Sequence, residues 1–212
     1  MKEFFPLFPL QLVVFPGEKL NLHIFEPRYK QLIAEVENQN TTFGIPAYLN
    51  NKLVEIGTEL ELLKIVKRYP NGEMDIKTQG RRRFIIREFY SMSPGKLFPA
   101  GEVEFLEDNA PPNTTLNQSL YNKVKKLYDI MEIKRTLPED PNDIKTFEVG
   151  HHVGLNVDQE YQLLQMQNET ERQLFLIQHL EKLMPVVEEM EELRKKAQLN
   201  GHFRNIIPPQ IR

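Results

Sequence analysis

A few arrangements in this 212-residue sequence have residue types and spacings that chemistry can use. Ser119 and Lys123 stand four apart, the helical spacing at which an amine faces a hydroxyl as the base of a Ser-Lys nucleophile pair. They fall on the polar side of a predicted helix, where lysine keeps its proton and has no lone pair to offer. Glu148 and His151 have the E-x-x-H spacing that puts a carboxylate and an imidazole on one helical face, half of a di-iron ligand set. No other histidine follows a glutamate by three, so the pair reads as incidental. His151 and His152 point about 100° apart on a helix and cannot chelate one ion as neighbours. His23 and His179 read as amphipathic or hydrogen-bonded residues. Arg81, Arg82 and Arg83, with Lys77 and Arg87 nearby, form the one local basic cluster. Strand alternation puts Arg81 and Arg83 on one face and Arg82 on the other. A phosphate or acidic-peptide contact there competes with solvated or glutamate-paired side chains.

The other chemical signatures are missing. Neither G-x-x-x-x-G-K-[ST] nor G-x-G-x-x-G occurs among the 10 glycines, so nucleotide phosphates have no cradle. Ser91, Ser93 and Ser119 lie outside any G-x-S-x-G elbow. With 0 cysteines there is no disulfide framework, thiolate zinc site or cysteine nucleophile, which suits a reducing cytoplasm. The expectation is a chain with no catalytic residues, no bound metal and no cofactor.

The elements that would position any site change character midway. Short apolar alternations fill the first half. Leu20, Leu22 and Ile24 alternate with Asn21 and His23, and Val103 and Phe105 with Glu102 and Glu104. Glu59 to Tyr69 and Met74 to Gln79 flank Pro70-Asn71-Gly72, where Asn-Gly supplies the positive φ of a tight hairpin. Phe84 to Phe89 reads as a further strand. Pro27 opens a short helix with Tyr29, Leu32, Ile33 and Val36 inward. The polar, proline-bearing stretch from Glu107 to Thr115 is the boundary, and beyond it the period becomes 3.6. Thr115 and Gln118 form a capping-box pattern ahead of Leu116, Leu120, Val124, Leu127 and Met131. A helix is expected over Asp143 to Val153 and another after Asp158. The longest follows Asn168 and Glu171, lined by Ile177, Leu180, Met184, Val187, Met190 and Leu193, and Pro185 should bend it without ending it.

Composition adds that the chain is an ordinary globular one, 40% hydrophobic and 27% charged, with net charge -3. Its two halves are alike in charge, so the polybasic footprint of a nucleic-acid or anionic-membrane binder is absent at this level. Phe4 to Phe15 is apolar but broken by Pro6 and Pro9 and followed by a Phe15-Pro16-Gly17 turn, which opposes a signal peptide. No apolar run approaches the roughly 20 residues of a membrane span, and a cytoplasmic location is expected.

Phe5-Pro-Leu-Phe-Pro-Leu10, Phe15-Pro-Gly17 and Leu22-His-Ile-Phe-Glu-Pro-Arg-Tyr29 together resemble the amino-terminal domain of Lon proteases. Phe43-Gly44, Val54-Glu-Ile-Gly-Thr58, Asn71-Gly72, Gln79-Gly80, Arg83-Phe84 and Ala100-Gly-Glu-Val-Glu104 follow in the same order, and the helical part is similar with weaker motifs. The resemblance implies an α+β chain: a PUA-like β pseudo-barrel over 1–108, a linker at 109–114, an α-helical bundle with a long, proline-bent C-terminal helix over 115–199, and a tail at 200–212. It also implies a role in engaging unfolded or tagged polypeptide, or another protein partner. In full-length Lon, ATPase and Ser-Lys protease domains follow; here the sequence stops at Arg212, so the expectation is a non-enzymatic, adaptor-like or chaperone-like module. RNA binding by a PUA-like fold, through Arg81 and Arg83, is the alternative.

Peptide could be held by an exposed sheet edge or by an apolar groove between barrel and helices. Phe15, Phe25, Arg28 and Tyr29 are the candidate peptide contacts, because turn and strand-to-helix junction bring aromatics and a guanidinium close together. The competing reading is architectural: Pro27 starts the helix, Glu26 favours its positive end and Tyr29 packs inward.

Overall fold

The computed structural model describes residues 4–107 and 112–199; residues 109–111 of the expected linker and the whole 200–212 tail lie outside the described residues. The longest strands form where the turn signal is strongest. β4 (Lys52–Arg68) and β5 (Met74–Tyr90) are joined through Pro70, Asn71 and Gly72. Gly72 N donates to Tyr69 O at 2.9 Å, and Tyr69 N to Glu73 O at 2.9 Å. Gly72 has φ of 78°, whereas Asn71 is not in the left-handed region. The connection is thus a three-residue loop over Pro70, Asn71 and Gly72, as the flanking strands require, with the positive φ expected of Asn-Gly found at the glycine alone. β5 also runs unbroken through Gly80, so the strands expected at Met74 to Gln79 and Phe84 to Phe89 are one.

β4 lies along one side of β5, while β2 (Lys19–Ile24) and β6 (Ala100–Leu106) share the other. β1 (Phe5–Pro6) pairs with β6, and the chain beyond it bridges β3 (Thr42–Leu49) at Leu7–Gly44 and Leu10–Ala47. The antiparallel sheet therefore curls back on itself as a pseudo-barrel. Register shifts along β4 and β5 help it curl, because each bulge bends the strand and increases its twist. α1 (Pro27–Gln39) seals one opening, with Pro27 in its first turn and Tyr29, Leu32, Ile33 and Val36 buried as the spacing requires. These join Phe8, Phe43, Ile45, Leu60 and Ile76 in the barrel core.

The helical half starts one step earlier than its sequence pattern suggests. α2 (Thr114–Ile130) is capped by Asn113, whose side-chain oxygen accepts from Thr115 N at 3.0 Å and Leu116 N at 3.2 Å. Thr115 lies inside the helix. Asn113→Ala should cost about 1 kcal/mol in urea unfolding and Thr115→Ala much less; the reverse order would refute the assignment.

The helix expected over Asp143 to Val153 is in pieces: a 3-10 turn at Pro141–Asp143, α3 (Thr146–Val149) and a second 3-10 turn at Gly150–His152. α4 (Val157–Gln165) has a full capping box between Asn156 and Gln159. α5 (Glu169–Leu199) continues through Pro185. It runs parallel to α2, tied by Lys123–Glu181 at 3.0 Å and Lys126–Glu188 at 2.5 Å. Met131, Met190 and Leu193, expected inward, are exposed. α2 ends at Ile130, so α5 has no α2 beside it beyond that level. No helix among the described residues is long and apolar enough to cross a membrane.

A second core joins the two halves. Val13, Phe15, Ala47 and Leu49 from the barrel pack with Leu120, Val124, Val149, Leu163 and Leu180 from the helices.

Candidate functional site

Where the barrel meets the helices, the surface opens into a cavity of about 650 Å³. The barrel supplies one wall, through Leu12, Val13 and the Gly17 to Leu20 segment; Tyr128, Leu137, Ile144 and Phe147 form the other. The size suits a ligand site, and the lining mixes apolar side chains with charged ones, among them Glu18, Lys19, Arg135, Glu148 and Glu160. β2, which begins in this wall, pairs with β5 and with no other strand among the described residues. An edge strand of this kind leaves backbone donors and acceptors open along one side.

Phe15 lies behind Phe147 and His151, two of the residues that line the cleft. It is fully buried, stacked on Phe147 with ring centroids 5.2 Å apart and 4.4 Å from the His151 ring. Gly150 makes room for it, since a Cβ there would lie 2.7 Å from the Phe15 ring. The helical turns run on through Gly150 to His152, and the expected helix is interrupted earlier, where Ile144 and Lys145 are extended.

His151 then clamps the walls together. Its Nδ1 lies 2.7 Å from Glu160 Oε1 on α4, and its Nε2 lies 3.0 Å from Glu18 Oε2 beside β2. Glu18 Oε2 also accepts from Phe15 N at 2.9 Å. Burial disfavours the charged imidazole, but hydrogen bonds and charge from the two glutamates outweigh burial and raise its pKa to about 9. His152, next in the chain, moves the other way. Burial lowers its pKa first, and the positive charges of Arg135 and His151 lower it further. Glu148, the other half of the E-x-x-H spacing, sits 3.6 Å from Lys145 instead. Lys123 is held by Glu181, so it offers no base to Ser119.

The four candidate peptide contacts do not come together. Phe15 belongs to the core between barrel and helices, whereas Tyr29 is buried in the barrel core, stacked on Phe8 at 3.7 Å. Arg28 lies 2.8 Å from Glu26 and 4.6 Å above the Tyr29 ring. Arg28 and Tyr29 line a smaller cavity of about 490 Å³ with Pro9, Tyr48 and Phe89; neither Phe15 nor Phe25 reaches it. Phe25 is 58% exposed, near His23. Local sequence proximity of strand end and helix start misled here, because the strand-to-helix bend sends neighbouring side chains to different sides.

Arg81 and Arg83 do not share a face either. Thr58 pairs with Arg83 but Leu60 with Gly80, so β5 carries an extra residue between them and the alternation slips. Arg81 is outside, 2.7 Å from Glu61. Arg83 is only 3% exposed and donates through Nη1 to the carbonyls of Leu164 at 2.8 Å and Met166 at 2.6 Å. Arg82 and Arg87 are paired with Glu59 and Glu104.

A groove between barrel and helices is expected, but the sequence could not point to the residues that line it. Lys19, Tyr128, Arg135 and Phe147 come from four separate segments, and nothing in local spacing joins them.

Comparison with known proteins agrees with this architecture. A model of the ATP-dependent protease La (LON) substrate-binding domain matches residues 5–182. The Lon protease of Cytophaga hutchinsonii is 25% identical over 212 residues, covering 91% of this chain and 26% of that protein. That of Flavobacterium johnsoniae is 23% identical, covering 92% and 26%. The chain thus spans about a quarter of the length of these curated relatives. Among solved structures, a Lon N-terminal domain protein from Xanthomonas campestris has a TM-score of 0.64 at 21% identity, covering 86% of this chain and 98% of that one. The N-terminal domain of Mycobacterium avium complex Lon protease has a TM-score of 0.61 at 18% identity, covering 84% and 98%. These two show the shared fold, and the match over residues 5–182 shows the kinship: the chain belongs to the Lon substrate-binding domain family.

Proposed function

We propose that this chain is a non-enzymatic polypeptide-binding module, adaptor-like or chaperone-like, that holds extended segments in the groove between its barrel (1–108) and its helices (115–199). The observation that carries this reading is the groove: a cleft of about 650 Å³, lined by apolar and charged side chains alike, beside an open strand edge. Backbone pairing along β2 would confer affinity without reading sequence, and the apolar walls would take side chains. His151, held charged between two glutamates, is a poor base and suits a clamp. Membership of a substrate-binding domain family points the same way. A chain without cysteine also suits the reducing cytoplasm where such clients occur.

RNA binding draws less support, because Arg81, Arg82 and Arg87 are each paired with a glutamate and Arg83 is buried.

The test is titration of a fluorescent, reduced and alkylated protein with the purified chain, without nucleotide. A saturable rise in anisotropy is expected, absent for the folded form of the same protein. Leu137→Ser, on the helical wall, should weaken binding about tenfold, the worth of one lost apolar contact of about 1.4 kcal/mol. No saturable binding would reject the proposal, and unchanged affinity in Leu137→Ser would move the site elsewhere.

A further inference from the structure

The groove's acidic groups already have partners, whereas two of its cations do not. Glu18 and Glu160 hold His151, and Glu148 faces Lys145. Lys19, at the start of β2, and Arg135, in the segment after α2, both line the cleft and are both exposed. Neither has an ion pair or side-chain hydrogen bond among the described residues. One sits on the barrel wall and the other on the helical wall, with Leu12, Leu137 and Phe147 lining the space as well. Arg135 acts on the interior of the cleft, because its charge opposes protonation of His152 and eases ionisation of Tyr128, in each case secondary to burial. A cleft whose walls carry apolar side chains beside paired acidic groups, with an unpaired cation on each wall, complements a ligand that is apolar in the middle and anionic at its flanks. A single terminal carboxylate would answer only one wall, whereas side-chain carboxylates spaced along an extended segment answer both.

We propose that the groove selects acidic, apolar polypeptide segments, with aspartate or glutamate side chains paired to Lys19 and Arg135 and apolar side chains against Leu12, Leu137 and Phe147. This rests on the polypeptide-binding reading and narrows it to a class of segment. Because these pairs form at a partly open cleft, they contribute selectivity and salt dependence more than raw affinity.

The experiment uses the full chain and three short fluorescent peptides sharing a leucine framework, with glutamate, glutamine or lysine at the intervening positions. Their anisotropy titrations run beside an unfolded protein of balanced charge and a single-stranded RNA. The glutamate peptide should bind about tenfold tighter than the glutamine peptide, as one or two charge-assisted contacts allow, and the lysine peptide should bind most weakly. Salt should narrow the gap. In a Lys19→Glu, Arg135→Glu double variant the order should reverse in favour of lysine; both positions are exposed, and circular dichroism verifies the fold. Equal binding of the three peptides overturns the proposal, as does a glutamate preference that survives in the double variant. RNA that binds more tightly than the glutamate peptide and displaces it also overturns it. Capture of the unfolded protein with no charge preference removes the acidic selectivity alone, whereas failure to bind the unfolded protein or any peptide removes the polypeptide-binding reading as well.

Discussion

Arg83→Met should lower the unfolding free energy by about 3 kcal/mol, the upper end for stripping the buried Leu164 carbonyl of its charged donor while the half-buried Met166 carbonyl is left to Arg172 alone. The reasoning starts from the helix end. α4 finishes at Gln165, and the last carbonyls of any α-helix have no partner within it. Here they point at the barrel instead of water, and Arg83 Nη1 reaches those of Leu164 and Met166 from β5. A cation also suits the negative end of the helix dipole. Arg172 gives Met166 O a second donor at 3.0 Å, so the turn between α4 and α5 hangs on two guanidinium groups, one from each half of the molecule. Methionine fills the space but donates nothing. For a domain of this size the loss corresponds to a fall in Tm of roughly 10 °C. Arg83→Lys, with one compact ammonium, should fall between. A Tm for Arg83→Met within a degree or two of wild type would show that the carbonyls find other donors and that Arg83 is not the joint.

That joint was illegible in the sequence for a definable reason. Alternation along a strand assigns faces correctly until a bulge inserts a residue, and the shift opposite Thr58 and Leu60 has no local signature. The run Arg81 to Arg83 therefore read as surface charge, when its third member is a core residue. Elements fixed by local chemistry fared better. Pro27 with its helical spacing gave α1, and Gly72 gave the β4-β5 hairpin although not its turn type. Capping at Asn168 also held, with Glu171 N donating to its side chain at 2.9 Å. Failures came where a distant partner decided the outcome. Extended backbone at Ile144 and Lys145, with Ile144 buried in the shared core, interrupts the helix expected through Val153, and α2 ends before it can cover Met190 and Leu193. The binding groove is the extreme case. An apolar cleft between barrel and helices is a fold-level expectation, but its residues come from β2, α2, α3 and the segments between, and only the packed structure brings them together.

The stability contributed by His151 should decline as pH rises, and the direction follows from its two carboxylate partners. In the unfolded chain its pKa is the ordinary 6.5; in the folded protein Glu160 and Glu18 outweigh burial and raise it to about 9. A group whose pKa is raised on folding stabilises most when charged in both states, so its contribution is complete below about 6.5 and disappears as pH passes through about 9. At full strength this shift corresponds to about 3 kcal/mol. The ring and both glutamates keep some water contact, with side chains 23%, 25% and 17% exposed, and screening reduces the expected value to about 2 kcal/mol. Burial, with the charges of Arg135 and His151, lowers the pKa of His152, so this neighbour does not compete as a cation over the pH range of interest. The measurement is urea unfolding of wild type and His151→Gln at intervals from pH 6 to pH 10. Wild type should be the more stable by about 2 kcal/mol at the acidic end, with the gap closing steadily toward the alkaline end. A gap that is constant across the range would mean that folding leaves the pKa unshifted, and one that widens with pH that burial wins and the folded imidazole is neutral. The barrel and helices would then be joined by their shared core and by Arg83, without an ionic clamp at His151.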